Sequence, residues 1–288
     1  MDDATSREAV KESRRVLRSV QTHLSQAHLN LGVQQETMGL VDVIYHPTNN
    51  LPHLNYISPR KNTAWIPGPE IEKGMGYLRD LGRVPRVTYI EGLFPPQFAK
   101  TMRELNLVVE REIPLMAFRA DDHTTTRPTL LTEMNYEEAK DQDGVAMWWY
   151  VWRNAYYDVI TGGTEPVYIG QDMREITLGR QVDLILHRYG FPIGVVRLTL
   201  HDQTAHINAI AIMKEERSSD VVRVLHHIAL KSALDRGCTL IFTSGDTEQN
   251  RGVCRDIGFV DFGSLVWYAE KKVTEEDARV AEPVFVLR

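Results

Sequence analysis

The residues with chemistry to offer lie within 194–259. A strand-like run, Ala205-His-Ile-Asn-Ala-Ile-Ala-Ile-Met213, sets His206 and Asn208 on one face, because side chains two apart on a strand point the same way. An imidazole exchanges protons near neutral pH, so His206 is a candidate general base; Asn208 stands beside it, and Glu215 and Glu216 lie just beyond the strand. Next, Arg217-Ser-Ser-Asp220 leads into a helical run over 221–236. A helix N-terminus offers free N–H groups and partial positive charge, so strand, charged loop and helix in this order can aim backbone amides at a phosphate-bearing cofactor. Arg217, Ser218 and Ser219 are placed to contact a phosphate there. Asp220 has the right side chain for the helix N-cap, where it would occupy donors that a phosphate needs.

The elements that must position these residues follow from periodicity and turn chemistry. Strands are expected over 194–200, 205–213, 239–244 and 260–269, with helices over 221–236 and 249–257. The first half has the same order: strands near 39–45 and 53–58, a helix opened by Pro67-Gly-Pro69, a strand at 84–91, a helix at 95–105 and a strand at 108–118. Duplication of one domain accounts for the match, so residues 39–118 and 194–269 are expected to share a fold. One or two helices precede this over 5–31. The halves are expected to divide in the polar, breaker-rich run 119–128, giving domains 1–122 and 123–288. The second begins with a strand near 129–134 and a helix capped at Asn135, with Glu137 and Glu138 behind it. A further helix, ended by Gly162-Gly163, places Val145, Trp148, Trp149, Trp152, Tyr156 and Val159 on one apolar face. Tyr150 and Tyr157 lie off that face and are candidates to line an acceptor pocket.

Composition narrows the class. With 43% hydrophobic and 25% charged residues the chain is globular, and 288 residues suit two domains. A net charge of −6 argues against a nucleic-acid partner. No apolar run is long enough to cross a bilayer, and the polar start Met1-Asp-Asp-Ala lacks the pattern of a signal peptide. Two cysteines, Cys238 and Cys254, fit a reducing cytoplasm. No His, Cys and carboxylate cluster has metal-ligand spacing, so no metal is expected; His226 and His227, adjacent on a helix, point to different sides.

The order of elements over 194–259 and its Ile257-Gly258-Phe259 ending resemble the acyl-CoA-binding half of the GNAT acetyltransferases. The resemblance implies an α/β (α+β) fold of two tandem GNAT-like domains, each a mixed, mostly antiparallel sheet flanked by helices. It implies a strand at 206–213 that splays from the strand at 240–244, with the backbone of Ile210, Ala211 and Ile212 receiving the pantetheine arm of acetyl-CoA or another acyl-CoA. The family's phosphate loop, Gln/Arg-x-x-Gly-x-Gly/Ala, falls on Arg217-Ser-Ser-Asp220-Val-Val222: the arginine matches, while Asp220 and Val222 replace both glycines. Arg217, Ser218, Ser219, Asp220, Val221, Val222 and Asn250 complete the implied cofactor set. The position that often holds the family's tyrosine acid, four residues before the glycine of the Gly-Phe ending, is Cys254 here. His206, Asn208 and Cys254 are therefore the implied catalytic residues, and the implied acceptor is a small-molecule or protein amine, with no nucleic acid and no membrane and with room for a homodimer. Two readings stay open: an acyl-CoA-dependent N-acyltransferase working in the second domain, the first being non-catalytic, or a catalytically silent binding or scaffold protein of the same fold.

Overall fold

The computed structural model describes residues 2–60, 63, 65–120, 133–158 and 162–270. The expected connection at 121–128, the first part of the expected strand at 129–134 and Val159 lie outside them. Two compact units divide the described chain, one of residues 2–114 with 262–270 and one of residues 115–261. A single cut at 122/123 would give the last strand to the second half; in the structure that strand belongs to the first unit from Phe262 onward.

The first unit opens with α1 (Asp2–Asn30), a single helix. It continues through β1 (Gln34–Met38), β2 (Val41–Tyr45), one turn of 3-10 helix at Pro52–Leu54, β3 (Tyr56–Pro59), α2 (Gly68–Asp80), β4 (Arg86–Ile90) and α3 (Gln97–Glu104). β5 (Leu107–Arg119) starts in this unit and enters the second at Leu115. β1, β2 and β3 pair antiparallel, β3 and β4 meet in parallel through Ile57 and Val87, and β4 pairs antiparallel with the C-terminal strand, here called β11 (Val260–Glu270). Alternation along the strands sends Val43, Ile57, Val87 and Tyr268 to a core with Ile71, Met75 and Phe98. Ile44, Tyr56, Ile113 and Trp267 form a second cluster.

The second unit holds β6 (Met134–Glu138), α4 (Gln142–Tyr157), α5 (Pro166–Thr177), β7 (Gln181–Arg188), β8 (Phe191–His201), β9 (Thr204–Ile212), α6 (Ser219–Asp235), β10 (Leu240–Ser244) and α7 (Glu248–Asp256). β6 through β9 form an antiparallel meander, β10 joins β9 in parallel, and residues 115–119 of β5 close the far side antiparallel to β10. Helices α6 and α7 pack one face through Leu225, Ile228 and Val253, with Phe259 just after α7, while α4 and α5 cover the other through Trp148, Val151 and Met173. Each unit is thus a mixed, mostly antiparallel sheet with helices against it, the expected fold class.

One local expectation fails. Residues 134–138 are strand, not the start of a helix: β6 pairs along its length with β7, from Met134 opposite Arg188 to Glu138 opposite Leu184. The acid run behind Asn135 resembles a first helical turn, but the true cap comes six residues later, where the Asp141 carboxylate accepts from Gly144 N–H at 2.8 Å.

Candidate functional site

The most consequential feature of the second unit is a fork in its sheet. The parallel ladder between β9 and β10 runs from Thr204 opposite Leu240 to Ile207 opposite Thr243 and stops, while β9 continues to Ile212. The opposite edge of β9 stays bound to β8 as far as Ile212 opposite Gly194. Among the described residues no strand pairs with the remaining edge of residues 208–212, and backbone groups left in this way are ready to bond an extended ligand as an added strand would. At the base of the fork the Thr243 hydroxyl donates to the Ile207 carbonyl at 3.2 Å.

A β-bulge sits at the same place. Arg197 pairs with Ala209 and Leu198 with Ile207, so Asn208 is the extra residue. Such an insertion kinks the strand and re-aims its side chain. The Asn208 Oδ1 is buried and has no hydrogen-bond partner. His206 lies one pair inside the closed ladder, buried and stacked on Phe242 at 4.4 Å with 4° between the rings. The strand thus brings the two candidates close in sequence but gives them different surroundings: His206 packs within the ladder and Asn208 stands at the fork.

Beyond Ile212 the chain makes one 3-10 turn at Lys214–Glu216 and enters α6. The cap is Ser218, not Asp220: Ser218 is extended, with φ −151° and ψ 157°, and its Oγ accepts from Val221 N–H at 3.3 Å. Asp220 falls in the first helical turn, where its exposed carboxylate pairs with Arg223 at 3.2 Å. The Ser218 oxygens take the N–H groups of Val221 and Val222, and among the described residues nothing bonds those of Ser219 and Asp220 at the helix start. Gln249, in the first turn of α7, donates to Ser219 Oγ at 3.2 Å, so the two helix starts meet. Thr247 caps α7 through Asn250 N–H, and the Asn250 side chain is buried.

Three expected contacts take other forms. Arg217 is spent on protein groups: it donates to the carbonyls of Ile212 at 3.2 Å and Ala155 at 2.6 Å and pairs with Asp158 at the end of α4. It braces the loop instead of offering a free cation. Val221 and Val222 are buried in the core below α6, so only their backbone faces the helix start. Cys254 is fully buried, its Sγ 3.4 Å from Nε2 of His226, whose Nδ1 donates to the Val222 carbonyl at 2.9 Å. Burial pushes the thiol up to about 12, far too weak an acid to protonate a leaving thiolate efficiently. Cys254 is therefore a core residue, corrected from the acid that its position implied.

Tyr150 and Tyr157 are both exposed on α4, with Tyr157 edge-on to Tyr156 and Tyr156 stacked on Trp152 at 5.0 Å. Trp152 packs against the cluster that includes Ala211 of the forked strand, as Ala209 does, so this helix borders the fork. Two features lay outside the sequence expectations. Thr243 has only its position at a strand end to mark it. The ion cluster of Arg197, Asp183 and Asp172 has a clearer sign, charged residues inside the apolar runs Val195-Val-Arg-Leu198 and Val182-Asp-Leu-Ile185. Among the described residues no group of three or more His, Cys, Asp or Glu could hold a metal ion, and no helix is long and apolar enough to cross a membrane.

No family model and no curated protein matches the sequence. Solved structures do match. A GCN5-related N-acetyltransferase from Kribbella flavida aligns at a TM-score of 0.69 and 14% identity, over 92% of this chain and 98% of that one. A GCN5-related N-acetyltransferase from Sphaerobacter thermophilus aligns at 0.57 and 12% identity over 81% of each chain. A tandem GNAT protein from the clavulanic acid biosynthesis pathway aligns at 0.57 and 14% identity, over 81% of this chain and 79% of that one. The chain has the GNAT fold.

Proposed function

We propose that the protein is an acyl-CoA-dependent N-acyltransferase whose working site is the fork of the second unit, with a small-molecule or protein amine as acceptor. The observation that carries this reading is the end of the β9–β10 ladder at Ile207 and Thr243, followed by five residues of strand whose second edge pairs with no strand among the described residues. An acyl-CoA has an extended, amide-bearing arm that suits such an edge and a pyrophosphate that suits the start of a helix. The backbone of Ile210 and the N–H of Ile212 would hold the arm, since Ala211 turns its own groups to β8 and the Ile212 carbonyl accepts from Arg217, and Ser219 and Asp220 N–H would hold the phosphates. When bound, the thioester supplies an activated acyl group; the chain's part is to orient it, shield it and admit a neutral amine. Bearing the fold of structures named as acetyltransferases supports the reading, although fold alone does not fix activity.

The first unit lacks the same equipment. Its α2 begins Pro67-Gly-Pro69-Glu70, where the prolines have no N–H. The Glu70 carboxylate lies 3.4 Å from Leu40 N and pairs with Lys73 at 2.6 Å, leaving an acid at the helix start. We assign the unit a non-catalytic, structural or substrate-shaping role.

Calorimetric titration with acetyl-CoA tests the reading, and Ser219→Pro makes it specific. Proline suits the first helical position, and extended Ser218 is the conformation that a following proline requires. The variant should fold normally yet lose one phosphate donor, weakening acetyl-CoA by roughly 10- to 100-fold, the worth of a hydrogen bond to a charged group. Ser219→Ala, which keeps the N–H, should bind like the parent. No heat of binding in the parent, or equal affinities in all three, would sink the site. Asp220→Asn tests the loop's departure from two glycines. Removing a charge in the first turn should tighten acetyl-CoA by a few-fold at low salt, an effect of about 0.3–1 kcal/mol, and unchanged affinity would mean that no polyanion sits there.

A further inference from the structure

Resting on the acyl-CoA reading, we propose that Asn208 is the positioning residue that receives the acceptor nitrogen. Asn208 is the bulged residue and the first one past the last β9–β10 pair. Its Oδ1 is buried without a partner, an arrangement that costs free energy unless something supplies a donor. An amide oxygen only accepts, so the missing partner must bear an N–H or O–H. The backbone of an acyl-CoA arm has its own candidates farther along the strand. The group still unmatched at the fork is the attacking amine.

The chemistry keeps one donor facing Asn208 throughout the step. The lone pair of a neutral primary amine forms the N–C bond to the thioester carbon. The C–S bond breaks with its electron pair on sulfur, and one N–H proton passes through water to that sulfur, giving amide and thiol. The other N–H survives in the product amide and can hold its hydrogen bond to Asn208 Oδ1 from approach to release. A secondary amine loses its only N–H in the step and would leave the oxygen bare again. No side chain from Ile207 to Ile212 titrates, since the run is Ile-Asn-Ala-Ile-Ala-Ile, and His206 is stacked inside the ladder. Asn208 therefore orients the amine without deprotonating it.

Two probes test this without knowledge of the natural acceptor. One joins the sulfur of CoA through an acetyl linker to the nitrogen of n-propylamine, leaving a secondary amide with one N–H; the other is its N-methyl counterpart, which has none. The parent protein should bind the N–H probe about tenfold more tightly than the N-methyl probe, the scale of one buried hydrogen bond. Asn208→Ala should bring that ratio close to one while leaving acetyl-CoA affinity unchanged, which also shows that the variant is folded. Asn208→Asp, which keeps an accepting oxygen, should retain the preference. A ratio that persists in Asn208→Ala overturns the proposal. So does a matching loss of acetyl-CoA affinity, because Asn208 would then serve the cofactor arm. If the parent binds neither acetyl-CoA nor the probes, the acyl-CoA reading falls first and this inference with it.

Discussion

Arg197→Ala is expected to destabilise the protein by about 3–5 kcal/mol, the range for removing one partner of a buried ion pair. Asp183 has no exposed surface, and its two oxygens accept from Arg197 Nε and Nη2 at 2.7 Å each. The same Nη2 donates to Asp172 on α5 at 2.5 Å, and Asp172 also accepts from Trp149 Nε1 at 2.7 Å. The guanidinium lies 4.0 Å from the centre of the Trp148 ring, so its flat face is covered as well. Burial pushes the Asp183 carboxyl above the ordinary carboxylate range, against the pull of Arg197. Without the arginine, two carboxylates would share a dry site with Gln181 and Trp149 as their side-chain donors among the described residues. Arg197→Lys should fall between parent and alanine variant, since an ammonium cannot reproduce the two parallel bonds or stack flat on the indole. Urea unfolding followed by tryptophan fluorescence would measure both. A loss below about 1 kcal/mol for Arg197→Ala would mean that water reaches the cluster and that it behaves as a surface pair. The position matters for the fork too, because Arg197 pairs with Ala209 just past the bulge and ties that point of the sheet to α4 and α5.

How far the sequence reveals this arrangement depends on the range of the interactions concerned. The elements from 194 to 270 are legible, because the strands and α6 are apolar runs closed by local turn chemistry and α7 fills the short polar stretch before Gly258: β8, β9, α6, β10, α7 and β11 lie within a few residues of the expected bounds. β6 is not legible. Its five residues carry a cap-like Asn135 and two acids, and only distant pairing with β7 makes them a strand. The same limit hides α5 and β7, for which the local pattern gave no expectation, and the membership of β11 in the first unit, which rests on pairing with β4. In the site, the resemblance located the fork, but the bulge at Asn208 leaves the strand's alternation almost intact and so gives no sign in the sequence. Ser218, Ser219 and Asp220 are all plausible caps by type. The choice of Ser218 is set in three dimensions, by an Arg217 pinned to Ala155, Asp158 and Ile212 just before it. Cys254 takes its place in the core from His226, 28 positions earlier, a partner that no spacing rule names.

Acidification from pH 7 to pH 4 should remove about 3 kcal/mol of stability through His226 alone. The ring is buried on α6, with Nδ1–H donated to Val222, Nε2 facing the Cys254 thiol and the Phe259 ring edge-on at 6.5 Å. Burial, with a smaller contribution from neighbouring His227, pushes its pKa from 6.5 down to about 4, the bond to Val222 opposing. The sign follows from proton counting. In the unfolded chain this imidazole binds a proton below about pH 6.5. In the folded chain it stays neutral until about pH 4. Between those values the unfolded state holds more protons, so the native state loses ground steadily as pH falls; above pH 6.5 the contribution is fully present. His28 of α1 is pushed down to about 4 as well, chiefly by burial, and adds to the loss with the same sign. Chemical unfolding at a series of pH values should therefore show stability falling most steeply between about pH 6.5 and 4. His226→Gln cannot titrate but can still donate to the Val222 carbonyl. It should be less stable than the parent at pH 7.5, because an amide fills the ring's space poorly, and the deficit should shrink or reverse by pH 4.5. If parent and variant instead run parallel over that interval, His226 exchanges its proton freely in the folded protein and is not sealed in the core beside Cys254.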